Sequence, residues 1–286
     1  MSAHIPQEIA AAFIASCRDE IEAPKPGNVH AFAGGHGMEA GHFLDSARVA
    51  APAVATAGAR VGTRIRDGVE ATFKAVAMNT NLGILLLCAP LAHAAESRSL
   101  DLRAGLAATL DNLDARDATD VYAAIARASP GGLGRAARYD VHEAPPFSLV
   151  EAMREAADRD MIARQYVTDF ADVFEIGLPV AAEFQPRGGI SAALAVYLAF
   201  LSRFPDTHIA RKYGSAVAEA VMGEAQIFAA RVQSEAGAKP FLADLHAFDA
   251  RLKAARINPG TSADLTVATL FTARLSAVLP MSPGDG

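Results

Sequence analysis

The stretch Pro24-Lys-Pro-Gly-Asn-Val-His-Ala-Phe-Ala-Gly-Gly-His-Gly-Met38 separates one helical pattern from the next. Its two prolines pin the backbone at Pro24 and Pro26 and push Lys25 toward an extended conformation. Connections between helices ordinarily run about 2–8 residues. This one has fifteen, with a lysine, two histidines and four glycines, and is stiff at its start. It reads as a ligand-binding loop around which the helices are arranged.

Outward from it, apolar periodicity dominates. Ile5, Ile9, Phe13 and Cys17 recur every fourth residue and mark an amphipathic helix ending near Glu22. Phe43, Leu44, Ala47, Ala50 and Ala51 begin a second. Asn79-Thr80-Asn81 has N-cap chemistry ahead of the apolar run 84–95. Asp117-Ala-Thr-Asp120 opens a short helix that stops at 130–134, and 135–147 reads as a loop. Ser148-Leu-Val-Glu151 is a capping box, and 158–175 continues as one helix with Ile162, Tyr166, Phe170 and Phe174 at i+4. Residues 177–189 interrupt. Helices follow at 191–204, 210–233 and 241–255, and Asn258-Pro-Gly-Thr-Ser-Ala-Asp264 opens the last. No stretch alternates with period two for long enough to be a strand. The expectation is an all-α fold: a single compact domain over residues 1–279, of about ten helices, with the site formed by helix-opening loops and a flexible tail at 280–286.

Composition narrows the function. Half the residues are apolar (51%), aromatics are 7% and Trp is absent, so alanine-rich faces let helices pack closely. Those faces are compatible with a homodimer. A net charge of −6 gives no support to nucleic-acid binding. The longest uncharged runs, 84–95 and 190–202, fall short of the roughly 20 residues that span a bilayer. Cys17 and Cys88 lie in apolar helical patterns as buried thiols, and no secretory signal precedes them, so a cytoplasmic protein without membrane contact is expected.

The segments 24–38, 79–83, 130–134, 186–189, 205–212 and 258–264 are alike in setting Gly or Pro beside Asn, Thr, Ser or Asp. Helix N-termini carry free N–H groups and favour phosphate, so the set suggests a shared polyphosphate site, with ordinary caps and turns as the alternative. Lys25 is a candidate phosphate ligand, or a lysine in a turn. His30 and His36 match no zinc or iron spacing. Pro130-Gly-Gly-Leu-Gly lacks the Lys-Ser/Thr ending of a P-loop. Arg187 beside two glycines, and the pair Arg211 and Lys212, suit anion binding or solvated faces. Thr261 and Asp264 have capping spacing.

Taken together, these segments resemble the triphosphoribosyl-dephospho-CoA synthase family, the ATP:dephospho-CoA triphosphoribosyltransferases. The matching pieces are Glu20 with Pro24-Lys25-Pro26-Gly27, Gly35-His36, Asn79-Thr80 with Gly83, Asp206-Thr207, and Pro259-Gly-Thr-Ser-Ala-Asp-Leu265, in family order over nearly the whole chain. The resemblance implies an all-helical transferase that joins the ribose C1 of ATP to the 2′-hydroxyl of dephospho-CoA and expels adenine. The product is the precursor of the prosthetic group on citrate lyase and malonate decarboxylase acyl carrier proteins. Such chemistry asks for a carboxylate near an oxocarbenium-like centre, an acid for the leaving adenine, a base for the hydroxyl, and Mg²⁺ with cationic side chains for the triphosphate. On that basis Lys25, Arg211 and Lys212 are assigned to phosphate, and Glu20 and Asp206 to Mg²⁺ or the ribose. Asn79 and Thr80 are assigned to ribose or phosphate, and Thr261 and Ser262 to substrate binding. Asp264 is assigned as base or oxocarbenium stabiliser, and His36 as acid with Glu39 as a second candidate.

The chain departs from other members at three places. Gly35-His36-Gly37-Met38-Glu39 replaces Gly-Ser-His-x-Asp-Met, and Asn81-Leu82 stands where a histidine and a lysine are usual. His208-Ile-Ala-Arg211-Lys212 stands where Asn is followed by His-Arg-Gly-Gly. This variant pattern is similar to a branch found in archaea and in methylotrophic bacteria. It implies an alternative: condensing a phosphorylated or activated precursor in one-carbon coenzyme assembly, of the tetrahydromethanopterin or methanofuran type. A non-catalytic helical binding protein is a further alternative, in which the loop polar residues would be exposed and scattered.

Overall fold

A computed structural model describes residues 5–97, 101–129, 147–184, 192–235 and 238–278. These residues hold fourteen α-helices: α1 Ile5–Glu22, α2 Ala40–Val54, α3 Val61–Val76, α4 Leu82–Glu96, α5 Leu102–Asp111, α6 Ala115–Ala128 and α7 Leu149–Ala156. Then come α8 Met161–Val167, α9 Leu178–Phe184, α10 Ala192–Arg203, α11 Thr207–Tyr213, α12 Ser215–Glu235, α13 Lys239–Ala254 and α14 Gly260–Val278. A π-helical turn, Val173–Gly177, leads into α9. Extended pairing among the described residues amounts to two isolated antiparallel bridges, His30 with Ala33 and Gly35 with Met38. The fold is all-α, as the periodicity requires, and no described helix is long and apolar enough to cross a membrane.

The helices number more than about ten because long patterns break. The pattern at 158–175 divides: α8 starts on Asp160, whose carboxylate accepts the Ile162 and Ala163 N–H groups, and ends where Asp169 and Phe170 turn left-handed (φ 49° and 56°). Residues 178–184, expected to interrupt, are helical and continue directly from the π-helical turn. The pattern at 210–233 breaks at Gly214, whose φ of 91° suits glycine. Helix α5 escaped the periodicity; Asp101 caps it by accepting the Arg103 N–H. Helix α6 begins on Asp114, with Asp117 inside its first turn completing a capping box. The expected box at Ser148 and Glu151 is present in both directions. The segments 130–134, 135–146 and 186–189 and the tail 280–286 lie outside the described residues.

The chain divides into two compact units, each assembled from separate segments. The first comprises Met1–Ala15, Asp45–Ala171 and Phe271–Gly286. Its central helix, α4, buries nearly every side chain from Leu82 to Ala95. Pro90 inside α4 removes the N–H that would bond the Leu86 carbonyl. The Tyr166 hydroxyl, on α8, donates to that carbonyl at 2.6 Å, satisfying an acceptor buried in apolar surroundings. Helices α3 and α6 approach closely at Gly62, where a Cβ would lie 2.6 Å from the Asp117 carbonyl oxygen. The Gly62 N–H and Thr63 hydroxyl donate to Asp117 and Asp120 across that contact. Cys88 lies in this unit and Cys17 in the other, both buried and neither in a disulfide.

The second unit comprises Ser16–Leu44 and Asp172–Leu270. Its core joins Leu194, Tyr197, Leu198 and Leu201 of α10 to Val221 and Phe228 of α12 and to Phe241, Leu245, Phe248 and Leu252 of α13. Phe228 and Phe248 stack with ring centres 5.1 Å apart. The spacings of three and four residues on each helix put these groups on one face.

Replacing Tyr166 by Phe strands the Leu86 carbonyl without a donor, and an unsatisfied buried acceptor costs about 1–3 kcal/mol. The Tyr166→Phe protein should therefore unfold at lower urea concentration, with an unchanged denaturant slope.

Candidate functional site

The loop following α1 is the polar hub of the second unit. Lys25 is fully buried, and each of its three ammonium protons has an acceptor. Glu20 Oε1 lies at 3.0 Å, the Glu20 carbonyl at 2.8 Å and the Val29 carbonyl at 2.9 Å. Burial pushes the Glu20 carboxyl up and the Lys25 ammonium down, and their mutual attraction opposes both shifts. The chain then turns at Gly27, whose φ is 79° and where a Cβ would lie 2.9 Å from both Leu252 and Pro259. The Gly27 N–H donates to Asp249 Oδ1 at 2.8 Å, the Tyr197 hydroxyl to the Pro26 carbonyl at 2.7 Å, and Asn28 Nδ2 to Asn258 at 2.8 Å.

Asp249 and Lys253, one turn apart on α13, complete the anchor. Lys253 donates to Asp249 Oδ2 at 3.0 Å and to the Ala33 carbonyl at 3.1 Å. His30 Nδ1 accepts the Phe32 N–H, and Nε2 lies 3.2 Å from Asp249 Oδ2 and 3.1 Å from Lys253 Nζ. Burial pushes the Asp249 carboxyl up, but His30, Lys253 and the Gly27 N–H reverse this and hold it below the ordinary range. Farther along, Gly35-His36-Gly37-Met38 forms a two-residue turn with both central residues left-handed (φ 56° and 78°). This aims His36 back so that Nε2–H donates to the Gly27 carbonyl at 2.9 Å.

A second anchor ties two helix starts together. Asp206 caps α11, with Oδ1 accepting the His208 and Ile209 N–H groups at 3.0 and 3.2 Å. Its Oδ2 accepts the Ser262 N–H and hydroxyl, both at 2.8 Å, in the first turn of α14. Burial raises the Asp206 carboxyl, against these four donors, each of which favours the anion. Thr261 Oγ1 accepts the His208 N–H at 3.2 Å and lies 3.1 Å from the Thr207 hydroxyl. Around this clamp stand Arg211 and Asp264, half-buried, and Lys212, exposed. Burial, then Lys212, Arg211 and His36, push the His208 imidazole down to about 3, so it is neutral at physiological pH.

Of the residues singled out from sequence, Glu20, Lys25, His36, Glu39, Asp206, Arg211, Lys212, Thr261, Ser262 and Asp264 belong to the second unit. Glu39 is exposed at the end of the opening loop. Asn79 and Thr80 belong to the first unit. There Asn79 Oδ1 accepts the Leu82 N–H at 3.3 Å and Thr80 shares a 2.6 Å hydrogen bond with Ser46. Glu20 and Asp206 do not fit a Mg²⁺ site as they stand: one carboxylate serves Lys25 and the other accepts four N–H and O–H donors. No group of three or more His, Cys, Asp or Glu among the described residues could hold a metal ion. Sequence reasoning missed Asp249, Lys253, Tyr197 and His208. Asp249 and Lys253 had a signal, an acid and a base four residues apart beside the apolar stripe of α13; Tyr197 had none.

The family model for ATP:dephospho-CoA triphosphoribosyl transferases matches residues 6–282. The chain belongs to this family, and it is a transferase. Its structure resembles the crystal structure of a proposed triphosphoribosyl-dephospho-CoA synthase from Archaeoglobus fulgidus, with 25% sequence identity and a TM-score of 0.63. The similarity covers 81% of this chain and 97% of that one. No curated protein matches the sequence. Family membership sets aside the non-catalytic alternative.

Replacing Lys25 by Met leaves the Glu20 carboxylate buried without its partner, and breaking such a pair costs about 3–5 kcal/mol. Urea unfolding should show that loss for Lys25→Met and a partial recovery in the Glu20→Gln/Lys25→Met double variant. Because the Asp249 carboxyl titrates below its unfolded value, its contribution is complete above the ordinary carboxylate range and is lost as pH falls through the native value. Asp249→Asn should therefore flatten the acid limb of a stability–pH curve while leaving its neutral limb parallel to that of the unsubstituted protein.

Proposed function

We propose that the protein moves the ribosyl-triphosphate of ATP onto a hydroxyl of dephospho-CoA, or of a related coenzyme precursor, with release of adenine. The observation that supports this best is the family match over 6–282, and the residues that carry the resemblance, Glu20, Lys25, Asp206, Thr261 and Ser262, form two buried hydrogen-bonded anchors. In this reading the bond from ribose C1 to the adenine nitrogen breaks and a bond from C1 to the acceptor oxygen forms. The hydroxyl proton passes to a base, and the departing adenine takes up a proton. Asp264, half-buried near the start of α14, serves as that base or faces the oxocarbenium-like carbon. His36 supplies the proton, and Glu39 is a second candidate. Arg211 and Lys212 hold phosphate, while Lys25, Asp206, Thr261 and Ser262 keep the loop and the two helix starts in place. We place Mg²⁺ on the incoming nucleotide's phosphates and not on Glu20 or Asp206. We also infer a cytoplasmic protein, with a homodimer compatible with its alanine-rich faces.

A second reading has one observation in its favour. Position 82, where other family members carry a lysine, is a leucine only 7% exposed at the start of α4, and Asn81 beside it is buried with its amide on Thr72. A triphosphate gets no cation there. This favours a phosphorylated or activated precursor of one-carbon coenzyme assembly.

Incubation with ATP, Mg²⁺ and dephospho-CoA separates the two. The first reading requires free adenine by chromatography and a product heavier by one ribosyl-triphosphate; the absence of adenine overturns it in favour of the second. In the first case Asp264→Asn should reduce kcat by at least about a hundredfold, the scale of a lost acid–base group, with helicity unchanged.

A further inference from the structure

His208 Nε2 is buried and has no hydrogen-bond partner, the one such side-chain atom among the described residues of the second unit. Native structures seldom leave a buried polar atom unmatched without a role for it. The rest of the residue is held firmly. Its N–H donates to Asp206 Oδ1 and is shared with Thr261 Oγ1, and its Nδ1 edge faces the first residue of α14. A Cβ on Gly260 would lie 2.9 Å from Nδ1, so the imidazole occupies space that only glycine leaves open there. The charged groups that act on the ring are cationic or can become so: Lys212, Arg211 and His36. An unmatched, buried ring nitrogen beside cationic side chains is an arrangement that an anion completes, because the anion accepts the N–H.

We propose that His208 is a phosphate-binding side chain, its Nε2–H donating to a phosphate oxygen held also by Arg211 and Lys212. The nucleotide as source of that phosphate rests on the transferase reading above; the anion contact rests on the unmatched Nε2, with the cations beside it in support. The ring then reads the ligand from the α14 side while the long cations close over it, and Gly260 is required because any side chain there would displace the ring.

The test uses inorganic tripolyphosphate and the full-length protein. Two-dimensional NMR of the ¹⁵N-labelled imidazoles should show the His208 Nε2 resonance moving on titration. Calorimetry should show binding weakened about tenfold in His208→Ala, the worth of a hydrogen bond to a charged group, and largely retained in His208→Gln, which keeps an N–H donor. An unmoved His208 resonance, or unchanged affinity in a folded His208→Ala protein, overturns the proposal. Should His208→Ala fail to fold, the resonance shift and the Gln variant still decide it. Tripolyphosphate binding through His208 in a protein that releases no adenine supports this inference while overturning the transfer from ATP. Adenine release with a silent His208 does the reverse.

Discussion

A buried ammonium has three protons and no water to receive them, and the second unit meets that demand within ten residues of chain. Glu20 supplies a carboxylate oxygen and a carbonyl and Val29 a second carbonyl, so the loop must double back over Lys25 immediately after α1. Pro24 and Pro26 hold the backbone extended on either side of that point, and Tyr197 takes the Pro26 carbonyl. From this fold-back the rest follows geometrically: Gly27 comes so close to α13 and to Pro259 that no Cβ fits, its N–H reaches Asp249, and its carbonyl receives His36. Without the pairing at Lys25 the chain would have no reason to bury a charge beneath a loop, since desolvating either partner alone is costly.

Asp206 applies the same principle to helix starts. A carboxylate with four donors joins the first turns of α11 and α14, satisfying N–H groups that both helices would otherwise leave unpaired. The residues singled out from the sequence thus divide by burial. Glu20, Lys25, Asp206, Thr261 and Ser262 are engaged inside the protein and give stiffness. His36, Arg211, Lys212 and Asp264 are at least partly exposed. A site for ribosyl transfer needs both, because groups held loosely cannot be aimed at a carbon that carries charge only briefly.

In the first unit, a proline within the buried helix α4 frees a carbonyl, and a tyrosine from α8 answers it. Leu82, at the start of that helix, is buried, which excludes a charged side chain at that position.

The all-helical class was legible in the sequence because apolar residues at spacings of three and four are a local property, as are caps such as Ser148 with Glu151. So was the importance of the stretch from Pro24 to Met38, since two prolines and four glycines restrict the backbone without help from distant residues. The ordered motifs also pointed to the family. What the sequence could not disclose was which way each polar group faces. Lys25 reads as a phosphate ligand until Glu20, five residues earlier, is seen to close over it. Asp206 reads as a metal ligand until Ser262, 56 residues later, takes its second oxygen. Tyr197 and His208 carry no local signal of their roles. Those roles are contacts between residues far apart in the chain, and such contacts exist only once the helices have packed. Periodicity and capping are written in neighbouring residues, whereas the assignment of a charge to scaffold or to ligand is decided by tertiary burial.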